Sequence, residues 1–337
     1  MNRRLSGTVS AVVGIALVAL ALPAAAVGHV DPIGARPVER ADIFGPVRVR
    51  DRAMTVPLPR FTVRPFDISL ASIRTLAWAD LPMNGNAILS LKIPTNSDAD
   101  GIVYKVIDGR RVYSPGNLGS DGIRYVDAYV RTGNPAYLDR ALVRAAKLIA
   151  LSRLSGGARY FPYDYDYATE KLEAPWYSAY SQGFALSLFV RLYRVTGIHR
   201  WADRARETAM SFRRLGTVTQ PWVAYVRANR LWLEEYPSAN PTHVLNGFNF
   251  ALFGLYDYER LTRDPVALDL LRGALRTVRS YGTSYRVPGG VSLYDLVHRT
   301  QFVHYHEIHI WQLRDLGAIS GDAWYGRLAD LYWSDHH

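Results

Sequence analysis

The sequence predicts a mainly α protein: an incomplete α/α toroid of helical hairpins with inserted β-hairpins, preceded by a small β-rich N-terminal region. Three observations carry this. Four segments repeat one plan of apolar helix, breaker and second helix at intervals of about 60 residues, longer than a simple solenoid repeat. In the second and third segments the first helix is apolar almost all round, as Phe184, Leu186, Leu188, Phe189, Val190 and Leu192 show. The second helix is one-sided, with Ala267, Leu268, Leu271, Ala274, Leu275 and Val278 set against Arg272, Arg276 and Arg279. A helix apolar on every side must be covered on every side, and an amphipathic one covers it from outside. The pattern therefore describes an inner and an outer ring. Thirdly, β-prone hairpins fill the gaps between helical pairs, which gathers their tips at one end of the ring.

The chain opens as an export signal does. MNRR supplies a positive start, Val12 to Leu22 an apolar stretch and Ala24-Ala25-Ala26 a small-residue cleavage site. Residues 1–26 are thus expected to be removed, and the mature chain to begin near Val27. An uncleaved membrane anchor is the alternative, although the apolar run is short for a full span. Either reading puts the folded part outside the cytoplasm, and Arg3-Arg4 lacks the context to fix the export route. Residues 27–60 are rich in Pro, Arg and Asp without a sustained period and read as a linker or arm. Residues 61–113 read as the β-rich region: Phe61 with Val63, and later Leu89, Leu91 and Ile93, alternate weakly. Within it, YKVIDGRRVYSP sets two β-prone runs around Asp108-Gly109, a pair suited to a tight hairpin turn.

Residues 114–337 carry the repeat. Its breakers are Thr132-Gly133-Asn134-Pro135, Thr196-Gly197, Arg263-Asp264-Pro265 and Ser320-Gly321-Asp322, each a helix stop followed by a start. Between the pairs, VAYVRANRLWL is expected to turn at Ala228-Asn229 and SYRVPGGVSLYDL at Pro288-Gly289-Gly290. ARYFPYDYDY is a further aromatic strand, whose Tyr163, Tyr165 and Tyr167 alternate with Asp164 and Asp166. That spacing puts the aromatics on one face, expected to be a half-exposed sheet face, with stacking on sugar as the functional option.

Composition bounds the function. With 337 residues, 49% hydrophobic and 21% charged, the chain can bury the core of one large or two modest domains. The formal charge of +10, from 40 Lys and Arg against 30 Asp and Glu, favours an acidic partner. Because the arginines are scattered along helices and no nucleic-acid motif is present, an anionic substrate is favoured over nucleic acid, with a basic surface of no function as the alternative. Zero cysteines exclude disulfides and thiolate metal sites. No stable membrane insertion is expected, and a homodimer stays open beside a monomer.

Chemistry concentrates in LWLEEYPSANPTHVLNGFNFALFGLYD, residues 231–257. Glu234 and Glu235 run into Tyr236 and Pro237, and Asn246-Gly247 then opens a helix apolar on nearly every side, so a strand exit delivers acid and phenol beside a helix start. The bland alternative is an acidic loop with Asn246 as the helix cap.

Further motifs stand in order along the chain: Pro175-Trp176, Tyr177-Ser178-Ala179 with Gln182-Gly183, Glu234-Glu235-Tyr236-Pro237, and Val244-Leu245-Asn246-Gly247-Phe248. Gly254-Leu255-Tyr256-Asp257, Tyr294-Asp295-Leu296, Tyr305-His306, His309-Ile310 and Gln312-Leu313 follow. Across roughly residues 110–335 this set resembles the D-glucuronyl C5-epimerases, which invert carbon 5 of glucuronic acid within a polymer to give iduronic acid without cutting the chain. The resemblance implies a β-rich N-terminal part followed by an α/α toroid, and an anionic uronate polysaccharide as partner. It places the catalytic glutamate and tyrosine at Glu235 and Tyr236 and a second catalytic tyrosine at Tyr305. It also implies substrate contacts from Asn246, Tyr294, His306, His309 and Gln182, and Tyr113 resembles the family's tyrosine-proline lead-in. The family pattern beginning Tyr294-Asp295-Leu296 continues with arginine and histidine, whereas here Val297 precedes His298; Arg299 is the nearest cation and shares a strand face with Val297 only if no turn intervenes.

Epimerisation needs a base and an acid on opposite faces of the sugar, plus donors that hold negative charge on the carboxylate; neither a metal nor a redox cofactor is required. Three other readings compete. A polysaccharide lyase would share the proton removal and then expel the linkage oxygen, a glycan-binding protein would not need Glu235, and a glycosidase would need a second acid such as Asp164 at a set distance. His304, His306, Glu307 and His309 also invite a zinc site, the weaker reading of that stretch.

Overall fold

The structure is a computed structural model that describes residues 66–69, 72–216 and 221–337. The export signal, the arm and the alternation of Phe61 with Val63 lie outside the described residues. Among the described residues eight α-helices pair as hairpins: α1 (Pro115–Thr132) with α2 (Pro135–Leu151), α3 (Ala179–Thr196) with α4 (His199–Arg213), α5 (Leu245–Thr262) with α6 (Pro265–Tyr281), and α7 (Val303–Ser320) with α8 (Ala323–Asp335). Each break follows from the residues read at it. Gly133, Gly197 and Gly321 end their helices in the left-handed region at φ 71°, 69° and 71°, where the missing Cβ removes the usual penalty. Asn134, Asp264 and Asp322 then cap the next helix by accepting from a backbone N–H two residues on. Arg263 takes the same left-handed cap, φ 55°, without being glycine.

The odd-numbered helices form the inner ring. α1 packs on α3, α3 on α5 and α5 on α7, each with its even-numbered partner outside, and α7 makes no comparable packing on α1, so the toroid is incomplete. Nearly every residue of α3 and α5 is buried, whereas α6 buries one stripe, Ala267, Leu270, Leu271, Ala274, Leu275 and Val278. The all-round and one-sided patterns thus mark inner and outer positions.

Three two-stranded antiparallel hairpins are present among the described residues: β1 (Lys105–Ile107) with β2 (Arg110–Val112), β3 (Arg153–Ser155) with β4 (Ala158–Tyr160), and β5 (Ala224–Arg227) with β6 (Arg230–Leu233). Asp108-Gly109 and Ala228-Asn229 make the expected two-residue turns, all four residues at positive φ. Two strand expectations are corrected. Leu89, Leu91 and Ile93 are 60%, 37% and 47% exposed and lie in irregular chain, so the strand pairing in the described part of 61–113 is the β1–β2 hairpin and one bridge, Ser97 to Val103. Pro288-Gly289 does turn, with Gly290 N–H on the Val287 carbonyl at 3.0 Å, but the flanks form no strand; one bridge joins Leu293 and Gln301.

That irregular chain has a structural task. It runs across the C-terminal ends of the inner helices, with Arg74 N–H on the Ile319 carbonyl (2.7 Å), the Tyr256 hydroxyl bonded to Leu76 and Arg74, and Ile88 N–H on the Arg124 carbonyl (3.3 Å). Beneath it the fully buried Arg191 donates to Asp257 (2.9 Å) and the Pro82 carbonyl (2.7 Å). With that end stoppered, the N-terminal ends of the inner helices, where β4 and β6 arrive, are left for the site.

Candidate active site

β6 delivers Glu234 and Glu235 to the foot of two inner helices. Glu234 N–H bonds the Val223 carbonyl and its own carbonyl accepts from Ala179 N–H, the first residue of α3, both at 2.8 Å. This fixes the backbone at the pair, and successive side chains diverge. Glu234 turns to His243, with Oε1 2.7 Å from Nδ1. Glu235 turns under α5, against Gly247. A Cβ at Gly247 would sit 2.0 Å from Glu235 Oε2, so any side chain there would displace the carboxyl.

Glu235 is 3% exposed. The Tyr294 hydroxyl donates to Oε1 at 3.3 Å, and Oε2 has no hydrogen-bond partner among the described residues. Burial, more than any other cause, pushes its carboxyl up to about 8; neighbouring Glu170 and Glu234 add to this, while hydrogen bonds from Tyr236 and Tyr294 oppose it. An acid so placed exchanges its proton near neutral pH, which an exposed glutamate does not.

Tyr294 ties the cluster together. Its hydroxyl is 3.3 Å from that of Tyr236, and its ring lies 4.7 Å from that of Tyr305, between centroids, in the first turns of α7. Glu235, Tyr236 and Tyr305, separated by 70 positions, are therefore brought into one cluster. Burial raises the pKa of all three phenols, and the Glu235 charge raises each further, so they remain protonated donors at neutral pH.

Sequence reasoning undervalued the aromatic surround. Tyr163 is buried rather than half-exposed: its backbone exchanges hydrogen bonds with Trp176 (2.8 and 3.2 Å) and its ring stacks on the indole at 4.1 Å. Tyr167 packs 5.3 Å from Tyr236, and Trp176 6.0 Å from it. Tyr163, Tyr167 and Tyr180 all lie close enough to Glu235 for its charge to raise their pKa, behind the larger effect of burial. The alternation that marks Tyr163 and Tyr167 was legible, but not which way their face points. Tyr180 carried no signal beyond its place in the first turn of α3; it is accommodated by Gly116 of α1, where a Cβ would come within 2.1 Å of its ring.

The other expected contacts divide. Asn246 lies inside α5, whose N-cap is Val244, so it is not the cap; it is 3% exposed and its Oδ1 has no partner among the described residues. His309 is buried, which lowers its pKa to about 3, and Nδ1 meets the Ser292 hydroxyl at 2.9 Å while Nε2 is unpartnered. Three others, Gln182, His306 and Tyr113, have side chains bonded to partners outside this cluster, and a fourth, Arg299, stands in an exposed turn. Gln182 accepts from Phe161 N–H (3.0 Å) and donates to the Arg159 carbonyl and Ser211 (both 2.8 Å), pinning β4 to α3 and α4. His306 accepts from Ser292 N–H (2.9 Å) and donates to the Tyr332 carbonyl (3.0 Å), facing α8. His306 and His309 thus both place Nδ1 on Ser292.

Tyr113 donates to Asp98 at 2.8 Å with the Lys147 ammonium over its ring, in a network of its own. Tyr113→Phe is accordingly expected to cost roughly 1 kcal/mol of stability, read by chemical denaturation, and to leave catalysis unchanged. Arg299 is exposed at φ 55°, in a turn whose N–H groups at Val297 and Arg299 bond Asp295 (3.0 and 3.3 Å), so it does not share a strand face with Val297. Val297, at the position the family pattern gives to arginine, is 53% exposed.

The profile of the family described as D-glucuronyl C5-epimerase C-terminus matches residues 156–334, which takes in every member of the cluster from Tyr163 to Tyr305. A D-glucuronyl C5-epimerase of Caenorhabditis elegans is 25% identical over 213 residues, 57% of this chain and 34% of that protein. An uncharacterized protein of Methanocaldococcus jannaschii is 27% identical over 166 residues, 48% of this chain and 53% of that one. The chain thus spans about a third of one curated relative and about half of the other. Among solved structures, a sugar epimerase from a ruminal bacterium superposes with a TM-score of 0.51 at 11% identity, covering 66% of this chain and 59% of that one, a likeness of fold.

Proposed function

From the premise that this chain belongs to the D-glucuronyl C5-epimerase C-terminal family, we propose that it inverts carbon 5 of D-glucuronic acid residues to L-iduronic acid within a glucuronate-containing polysaccharide outside the cytoplasm. The observation that carries the reading is the meeting of Glu235, Tyr236 and Tyr305 around Tyr294. In the forward step the carboxylate of Glu235 takes the proton from carbon 5, and the electron pair of the broken C–H bond moves into the uronate carboxyl. Tyr305 then returns a proton to carbon 5 from the other face as the C–H bond re-forms. Glu235 ends protonated and Tyr305 ionised, and the hydroxyls of Tyr294 and Tyr236 offer a path to restore both.

The added charge on the substrate carboxyl must be held by donors. In place of an arginine at Val297, the phenols serve: burial keeps Tyr163, Tyr167, Tyr180 and Tyr294 protonated, and each can donate to an anion.

The test is incubation with unmodified heparosan-like polymer in heavy water. Deuterium at carbon 5 with iduronate signals in the NMR spectrum is expected; absorbance from an unsaturated product would instead establish a lyase, and neither would leave glycan binding. Tyr305→Phe is expected to stop inversion, seen as loss of iduronate signals, while the melting temperature stays near wild type because its ring is retained against Tyr294 and Phe302.

A further inference from the structure

Behind Glu235 lies a second set of titratable groups that the reaction as drawn does not use. His243 is a non-glycine residue at φ 60°, a left-handed conformation kept only where surroundings dictate it. Its surroundings do dictate it. The His243 N–H donates to Glu234 Oε2 at 3.3 Å, Nδ1 lies 2.7 Å from Oε1, and the ring rests on Trp232 with centroids 3.9 Å apart. Its carbonyl accepts from the Tyr285 hydroxyl at 2.8 Å. At the outer end, Nε2 meets the hydroxyl of half-buried Tyr225 at 3.4 Å. Phenol, imidazole and carboxylate stand in line from the β5–β6 hairpin to a fully buried acid, one residue from Glu235.

We propose that Glu234, clamped by His243, is a positioning residue that holds a negative charge behind Glu235 and so makes Glu235 a stronger base. The catalytic purpose rests on Glu235 being the base of the reaction proposed above; the electrostatic effect does not. Two N–H donors at 2.7 and 3.3 Å suit an acceptor-only carboxylate, and a buried like charge next to Glu235 opposes loss of its proton. Glu235 is faced by Glu170 and Tyr167 from the aromatic loop, Tyr163 beyond β4 and Tyr180 from α3. Tyr236, Tyr294 and Tyr305 also border it, and Glu170 and Glu234 are acids whose charge acts on it. Glu234 is faced by His243, Tyr225, Tyr285 and Glu170. His243 is thus the imidazole whose hydrogen bonds hold the Glu234 carboxyl in place.

The experiment is a titration of Glu235 by carbon-13 NMR in full-length protein without substrate, the resonance assigned with Glu235→Gln. Glu234→Gln keeps the hydrogen bond from Nδ1 but removes the charge, and is expected to lower the proton affinity of Glu235 about tenfold. His243→Asn suits the left-handed backbone and weakens the clamp, so a smaller shift in the same direction is expected even if Glu234→Gln does not fold. Glu234→Asp, which keeps the charge, should titrate close to wild type. A Glu235 midpoint unmoved in every variant that keeps the wild-type near-ultraviolet circular dichroism overturns the proposal. Where wild type exchanges deuterium, the rising limb of its pH profile should move with the titration; where it does not, the functional reading fails and the titration still decides this one.

Discussion

Glu235→Gln is expected to incorporate no measurable deuterium at carbon 5 while retaining its fold. Removing a general base costs on the order of 10²–10⁴-fold, and the amide cannot accept the proton at all. Retention of the fold follows from the surroundings: the Tyr294 hydroxyl can donate to the amide oxygen as it does to Oε1, and the unpartnered Oε2 leaves no hydrogen bond to be lost. Stability should separate the two proteins by pH. The folded protein holds the Glu235 proton up to about 8, whereas the unfolded chain releases it near 4.5, the ordinary value for a glutamate. Between these values the folded state binds more protons than the unfolded, so this group's contribution to stability is complete below about 4.5 and is lost as pH rises to about 8. Wild type and variant should therefore melt alike near pH 4.5, and the variant should be the more stable above pH 8 by a few kcal/mol in order of magnitude. Thermal melts at the two pH values decide it; a variant no more stable than wild type at high pH would mean that Glu235 is not held protonated.

The toroid was legible because its signal is collective. One apolar helix cannot be told from any buried helix, but α3 and α5 apolar all round, each followed by a one-sided partner, fix inner and outer positions together. The two-residue turns were legible from local chemistry at Asp108-Gly109 and Ala228-Asn229. What escaped was whatever depends on the direction of a side chain. Adjacent Glu234 and Glu235 read as one acidic patch, yet they face opposite ways, one to an imidazole and one to phenols. Gln182 and His306 sit within matching motifs, but their hydrogen bonds go to the backbone of Arg159, Phe161 and Tyr332, partners distant in sequence. Leu89, Leu91 and Ile93 failed for the complementary reason: alternation signals a strand only where another strand supplies its hydrogen bonds.

Gly183→Ala is expected to be strongly destabilising. A Cβ there would lie 2.5 Å from both the Ala251 Cα and the Phe250 carbonyl oxygen, and one at Gly254 would lie 2.3 Å from the Gly183 carbonyl oxygen. These are backbone atoms on both sides, so no rotamer change relieves the clash and α3 must move off α5. Overpacking of this kind costs about 1–3 kcal/mol or more, against roughly 1 kcal/mol gained from alanine's better helix propensity. The same substitution at Gly326 of α8, with nothing within 4 Å, should carry only the gain and raise the melting temperature. Opposite signs for one chemical change would show that contact geometry, not propensity, holds the ring. The loss should also reach the chemistry. Gly183 lies one turn beyond Ala179, whose N–H binds the Glu234 carbonyl at 2.8 Å, so displacing α3 drags the backbone that aims Glu235. Gly183→Ala should therefore lose deuterium exchange even at a temperature where it remains folded, and full exchange in that protein would show that the aim of Glu235 does not depend on the α3–α5 contact.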